Sequence, residues 1–383
     1  MKRNKTFWIP GGLLLILILV MLSSIGGWYF QPKKELDVFI LNKTVPTINR
    51  NEHKSFHWVL NHYRYVKPNH NRYKLKEDYY GFFPTNTEKE QFDFKSISIY
   101  DVERISNAVD IAYFADTYGV YYSDWFQGSQ PEVRSEQKVY GDLNQNDFLL
   151  LKALLEKDKT IITEFVLLNK TTSPLVREKT EQLLHFKWQG WIGRYFPSLD
   201  TAMNPNFPKW IVNLYTEQNH VDWAFKNAGI IFIHKYGKMI ILDDQFLTQD
   251  IPNINTNNKF AGKYNLPSNI EYPYWFDVVQ ANNQDDVVAS FDLHTNARGD
   301  SLLKSYNIPL SFPAIINHHQ DYNLYYFAGD FCHNPIHTST SFFYGIRKFD
   351  FLTYSKEKAD RKKFFWEYYV PLIKGILEET YAP

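Results

Sequence analysis

Only one cysteine, Cys332, stands in the 383 residues. A lone thiol closes no internal disulfide, so folding does not depend on oxidation. An excess of one charge is missing too: 42 basic and 42 acidic side chains cancel. That balance argues against a nucleic-acid binder, whose electrostatic footprint is a basic excess. The chain has no Walker loop, no G-x-G-x-x-G and no G-x-S-x-G, so nucleotide use and serine hydrolysis have no motif behind them. It also lacks H-E-x-x-H and paired C-x-x-C spacings, and no metal or cofactor is expected. No internal repeat or long low-complexity tract occurs. Aromatic residues, by contrast, make up 17% of the chain. Tyr and Trp bury a broad apolar face and keep a polar handle, which suits core packing and saccharide stacking alike.

Long uncharged stretches are scarce, and the one that stands out lies behind Lys2, Arg3 and Lys5, from Thr6 to Pro32. Its centre, "GGLLLILILVMLSSIGGWYF", has the roughly 20 residues that crossing a hydrocarbon core requires. Basic residues before it, and Trp28 and Tyr29 at its far end, fit the positive-inside rule and an aromatic interface belt. Residues 1–32 therefore read as a single-pass membrane anchor, with a cleaved signal peptide as the alternative because Ser24-Ile25-Gly26 offers small residues. Residues 33–383 are expected outside the cytoplasm, with the N-terminus inside.

Beyond the anchor, "LDVFILN" reads as a buried strand, and "NEHKSFHWVLNHYRYV" brings Phe56, Val59, Leu60 and Tyr63 to helical spacing. A polar, aromatic insertion covers 67–94. The strand "VDIAYFAD" follows, then the helix "DFLLLKALLEKD" with Asp142 or Asn144 as cap, the strand "TIITEFVLL", and the helix "SPLVREKTEQLL" with Ser173 as cap and Pro174 in its first turn. This order predicts a three-layer α/β/α sandwich with a mostly parallel sheet. Further on come a helix at "PKWIVNLYTEQ", a hairpin at "GIIFIHKYGKMIIL", a loop insertion over 251–275, and strands at "DVVASFDLHT", "FPAIINHH" and "NLYYFAGDF". The closing aromatic helix should be interrupted near Pro371.

The pieces "LDVFIL", "VDIAYFADTYG", "NQNDFLLLKALLEKDKTIITEF" and "NLYYFAGDF" together resemble the class I glutamine amidotransferase-like superfamily, a flavodoxin-like fold. The resemblance spans most of residues 35–335 and rests on pattern and order. It implies a nucleophilic Cys in a tight turn after a central strand. Here the turn after "TIITEF" carries Glu164 and Phe165, and the lone Cys lies far downstream. The resemblance therefore implies a member without amidotransferase chemistry. What it leaves is a scaffold whose ligands sit at the carboxyl ends of parallel strands.

Asp116 ends a strand in such a frame, and Tyr118, Tyr122 and Trp125 follow it. A carboxylate beside rings can hold sugar hydroxyls while the rings stack on sugar faces; the same residues can equally cap and pack a turn. Glu164 interrupts an apolar strand, and a buried carboxylate needs a partner, for which Arg194 in "WQGWIGRYF" is the candidate. Read as an aromatic slab on a loop, that segment adds Trp191 as a stacking surface. "GDFCHNPIH" contributes Asp330 and His333, and "FDLHT" contributes His294 at a strand end. The expected catalytic set is Asp116, Glu164 and Asp330, and the expected ligand contacts are Tyr118, Tyr122, Trp125, Trp191, Arg194, His294 and His333. Three functions remain open: binding of carbohydrate or cell-envelope material, glycan hydrolysis by the carboxylates, or a structural place in a membrane complex.

Overall fold

The computed structural model describes residues 8–126, 137–204 and 207–381. Lys2, Arg3 and Lys5, on which the expected orientation of the anchor rests, lie outside these. The first described element is helix α1 (Trp8–Tyr29). After it the chain builds one large sheet, whose central strands are β1 (Val38–Asn42), β2 (Tyr80–Asn86), β4 (Ile111–Asp116) and β5 (Thr160–Glu164), with β3 (Gln91–Lys95) as an edge. Val38, Phe39, Ile40 and Leu41, and likewise Ile111 to Ala115, are buried along both faces. Such continuous apolar runs are the mark of strands covered on two sides.

The helices between these strands have sequence reasons to be where they are. Helix α2 (Asn51–His62) buries Phe56, Val59 and Leu60, and the Phe56 ring stacks on Tyr113 of β4 at 4.2 Å. Helix α3 (Ile99–Ala108) packs on α4 (Gln145–Glu156). The cap of α4 is Asn144, whose side-chain oxygen accepts the N–H groups of Asn146 and Asp147 at 2.9 and 3.1 Å; Asp147 accepts the Asn144 N–H in return. Asp147 also forms a fully buried ion pair with Lys43, the residue after β1, and this ties α4 to the sheet. Helix α5 (Pro174–Leu183) begins with the expected Ser173 cap and Pro174.

A second sheet follows. Strand β6 (Phe186–Phe196) runs the full length of the segment read as a loop slab, then come α6 (Lys209–Asn219) and the hairpin β7 (Gly229–His234) and β8 (Met239–Leu242). The stretch 251–275 is likewise not a loop: it holds β9 (Asn253–Thr256), α7 (Asn258–Tyr264) and β10 (Asn269–Glu271). After these come β11 (Trp275–Ala281), β12 (Val287–Asp292), α8 (Ala297–Ser305), β13 (Ser311–His318) and β14 (Leu324–Phe327). The chain closes with α9 (Val370–Tyr381), entered through a π-turn at Phe365–Tyr369 just before Pro371. That turn is how the helix accommodates a proline that cannot donate its backbone bond.

The large sheet has ten strands in the order β10-β9-β12-β13-β14-β5-β4-β1-β2-β3. Its centre, β14-β5-β4-β1-β2, is parallel. Counted along the chain, these parallel strands lie in the order 2-1-3-4-5, the flavodoxin-type arrangement in which the crossover direction reverses between the first and third. The sheet is mixed rather than mostly parallel, because β9, β10, β12, β13 and β3 all pair antiparallel. The turn at 87–90 returns β2 directly into β3, and an antiparallel pair of this kind needs no crossover helix. The second sheet, β8-β7-β6-β11, is wholly antiparallel and has a small core of its own, with Phe196, Phe207, Ile211, Ile231 and Met239.

Helix α1 leaves this body at one end. Its last turn is docked, with Trp28 buried against Phe342 and Ser24 bonded to the backbone of Tyr344. Every side chain from Leu14 to Leu22 is exposed, from 44% at Ile18 to 60% at Leu22. Among the described residues, no helix is long and apolar enough to cross a membrane. The structure thus does not carry the membrane-spanning part of the expectation.

Candidate functional site

Parallel strands deliver their carboxyl ends to one rim, and the register makes this concrete. Leu41 of β1 pairs with Phe114 of β4, Phe114 with Thr163 of β5, and Glu164 with Phe327 of β14. The residues that follow are therefore neighbours in space: Thr44 and Glu52 after β1, Asp116 at the end of β4, Glu164 at the end of β5, and Asp330 after β14. The reversal of strand order between β1 and β4 opens a crevice there, as it does in open α/β sheets generally.

That crevice is a cleft of about 390 Å³. Glu52, Asp116 and Asp330 line it together with His333, Tyr274 and Trp275. Asp116 is held in place: its Oδ1 accepts the Thr44 hydroxyl at 2.6 Å and the Tyr118 N–H at 2.7 Å. The same carboxylate thus caps the turn and faces the cleft. Burial pushes its carboxyl well above the ordinary range, and the nearby Asp330 and Glu52 charges add to this. Glu52, in the first turn of α2, is pushed up to about 8, by burial first and by Asp330 as well. Its Oε2 is buried without a hydrogen-bond partner. Asp330 has the His333 ring at 3.5 Å.

The cleft's second wall comes from the smaller sheet. Asp277 of β11 donates its backbone N–H to the Ala328 carbonyl at 2.7 Å, and a bridge joins Phe276 to Gly329. Only glycine fits at 329, since a Cβ would stand 2.5 Å from the Phe331 ring and 2.8 Å from the Tyr272 hydroxyl. This close approach brings Tyr274 and Trp275 beside Asp330. A second chamber of about 530 Å³ shares Tyr118, Tyr121, Val166, Ile192 and Trp210 with the cleft, so the two make one continuous groove.

Several expected site residues lie elsewhere. Glu164 sits beneath the cleft: it accepts the Tyr113 hydroxyl at 2.5 Å and the Cys332 N–H at 3.0 Å, and so positions the loop that carries Asp330. Arg194 does not pair with it. The guanidinium lies over the rings of Phe196, Trp275 and Tyr274 at 4.6, 5.0 and 5.2 Å, because β6 runs along the second sheet and not above β5. Trp125 is core, with its indole N–H bonded to the Glu90 carbonyl. Tyr122 is exposed, with its ring tilted against Phe126 at 4.3 Å. Trp191 is buried against His234 and Tyr306. His294 lies in the loop before α8, where its carbonyl accepts the Thr248 N–H, and lines neither chamber. Tyr118 and His333 do line the cleft.

The sequence reading missed Glu52, Tyr274 and Trp275. Glu52 had a signal, as a carboxylate in the first helical turn after the first parallel strand. Tyr274 and Trp275 had none, because only the pairing of the two sheets brings them to the rim. The turn after β5 bends at Val166, a β-branched residue held at φ 55, which is a strained conformation costing about 1–3 kcal/mol. Asp277 Oδ2 accepts the Val166 N–H at 3.0 Å and helps to hold it. Cys332 is fully buried, and burial pushes its thiol far above its ordinary range, which disfavours the thiolate. Among the described residues, no group of three or more His, Cys, Asp or Glu is arranged to hold a metal ion.

The fold and the cleft define a mixed α/β protein with an acidic, aromatic-walled groove at the switch point of its parallel strands. No protein-family model matches the chain, and no curated protein matches it. Among solved structures it is similar to a protein from Bacteroides uniformis described as ThuA-like, at 10% identity, over 88% of this chain and 97% of that one, with a TM-score of 0.36. A likeness that distant carries no argument about function.

Proposed function

We propose that this chain is a membrane-anchored, extracytoplasmic protein that binds a saccharide of the cell envelope in the groove and hydrolyses it with the rim carboxylates. One observation carries the reading: Glu52, Asp116 and Asp330 line a single cleft between aromatic walls. Glu52, protonated at neutral pH, is the general acid for the leaving oxygen. Asp330, with His333 beside it, is the base or nucleophile. Asp116, fixed by Thr44 and the Tyr118 N–H, receives sugar hydroxyls. Tyr274 and Trp275 offer ring faces for stacking, and the second chamber extends the groove to more than one sugar unit. The scaffold is read as a divergent relative of the glutamine amidotransferase-like superfamily. The 2-1-3-4-5 strand order supports this. The uncharged stretch from Thr6 to Pro32 is what supports the anchor.

The test is a screen of envelope glycans against the purified full-length protein, with wild type and Glu52→Gln compared. Turnover by wild type, lost in Glu52→Gln with affinity retained, is the expected result. Binding without any turnover in wild type leaves a carbohydrate-binding protein and removes the enzyme. Absence of contact with any glycan removes both and leaves a structural partner in a membrane complex.

A further inference from the structure

Helix α2 borders a second cavity, and we propose that this cavity binds a phosphate ester that carries a free hydroxyl. Its volume is about 470 Å³, and its lining includes His57, Asn61, Lys67, Arg72 and Lys74 but no acidic side chain. Two of the three cations are partly neutralised from outside the lining: Lys67 by Asp78 at 2.8 Å and Lys74 by Glu77 at 2.9 Å. Arg72 has no carboxylate partner among the described residues. Its guanidinium rests on the rings of Phe342 and Trp28, at 5.0 and 5.9 Å, which leaves its donors for a ligand. A planar guanidinium held on aromatic faces, with two ammonium groups near it, is a cradle for phosphate oxygens.

His57 adds the second requirement. It is 1% exposed, and its Nδ1 lies 3.2 Å from the His53 carbonyl, which can only accept, so Nδ1 carries the proton. Nε2 is then an acceptor, and it is buried without a partner. An anion lacking a proton gives that nitrogen nothing. A ligand that satisfies the whole cavity brings negative oxygens to Arg72 and an O–H to His57, and a phosphorylated polyol has both. The burial that holds the imidazole neutral supports this assignment of donor and acceptor.

Two sources supply that chemistry, a soluble polyol phosphate or a lipid headgroup of the phosphatidylglycerol type. The cavity adjoins the docked end of α1: Arg72 lies on the Trp28 ring, and the Trp28 indole donates to the Asn61 carbonyl at 3.0 Å. If α1 enters a bilayer, the cavity sits at headgroup level. The lipid source alone rests on the anchor reading; the phosphate–hydroxyl chemistry does not.

The experiment is calorimetric titration of the detergent-solubilised full chain with glycerol 3-phosphate, short-chain phosphatidylglycerol and short-chain phosphatidylcholine, which lacks the hydroxyl. The expected result is binding of one or both hydroxyl-bearing ligands at least about tenfold tighter than phosphatidylcholine, and weakened about tenfold or more by Arg72→Gln. Arg72 is exposed, so this variant leaves the fold intact. Phosphatidylglycerol binding without glycerol phosphate binding assigns the lipid source, and the reverse assigns the soluble one. The proposal is overturned if neither ligand binds, if phosphatidylcholine binds equally well, or if Arg72→Gln leaves the affinity unchanged.

Discussion

The two ends of helix α2 face opposite chemistries. Its first turn gives Glu52 to a cleft of carboxylates, and its later turns give His57 and Asn61 to a cavity of cations. Glu52 and Asn61 are separated by about 14 Å along the axis, at 1.5 Å per residue. Between them Phe56 fastens the helix to the sheet through its stack on Tyr113. In both places a buried polar atom is left without a partner, Oε2 of Glu52 and Nε2 of His57. Fold stability does not favour such atoms, since each costs about 1–3 kcal/mol when unsatisfied. Both proposed sites thus draw on α2, while Phe56, Val59 and Leu60 supply its anchorage.

Removing that anchorage breaks the comparison most severely. Phe56→Ala should lower unfolding stability by about 3–5 kcal/mol and disturb both cavities together, as chemical denaturation followed by ligand titration will show. Next in size, Glu52→Gln should cut glycan turnover by about 10²–10⁴-fold and leave phosphate-ester binding at the other end untouched. If both activities fall together, the two ends are not independent. A smaller effect is expected beneath the cleft. Glu164→Gln swaps one accepting oxygen for a donor that faces either the Cys332 N–H or the Tyr113 hydroxyl, at a cost of about 1–3 kcal/mol in stability. A loss of turnover beyond what this destabilisation explains would return Glu164 to the catalytic set.

The pH dependence sharpens the contrast because its sign differs between the ends. Glu52 titrates near 8 in the folded chain, above its unfolded value, so the folded state holds an extra proton between the two. The stability linked to it is complete below the unfolded carboxyl range and is lost as pH rises through about 8. His57 and His62 are pushed down to about 4, chiefly by burial, and remain neutral. The stability linked to them is present above the unfolded histidine range and is lost as pH falls toward about 4. Melting temperatures between pH 4 and 9 should therefore show wild type gaining less from alkaline pH than Glu52→Gln does. His62→Gln should flatten the acid side instead. Parallel curves for wild type and Glu52→Gln would show that Glu52 is solvated and ionised, and would remove it as the acid.

Much of this was legible in the sequence. The runs "VFIL", "IAYFA" and "TIIT" are apolar on both faces, and that pattern alone demands strands covered by helices. Asn144, Ser173 and Pro174 announced two helix starts by local chemistry, and the structure uses each as a cap or a first-turn residue. Asp116 and Asp330 were legible as strand-end carboxylates. The segment "WQGWIGRYF" was not legible as a strand, because its glycines and rings carry no two-residue period that reads from one chain alone. The partner proposed for Glu164 failed for a related reason: a buried acid demands hydrogen bonds, but the demand does not say whether a guanidinium, a phenol or a backbone N–H will meet it.

What the sequence by itself determined is local: which runs must be buried, where helices begin, and that an uncharged apolar segment precedes the folded part. Those outcomes follow from burial and capping, which act within a few residues. Tertiary structure alone decided that Glu52, Asp116 and Asp330 share a cleft, that Tyr274 and Trp275 wall it, and that Arg72 lies on Trp28. These are contacts between residues far apart in the chain, fixed by strand order and by the pairing of one sheet's rim with another, and no single segment encodes them.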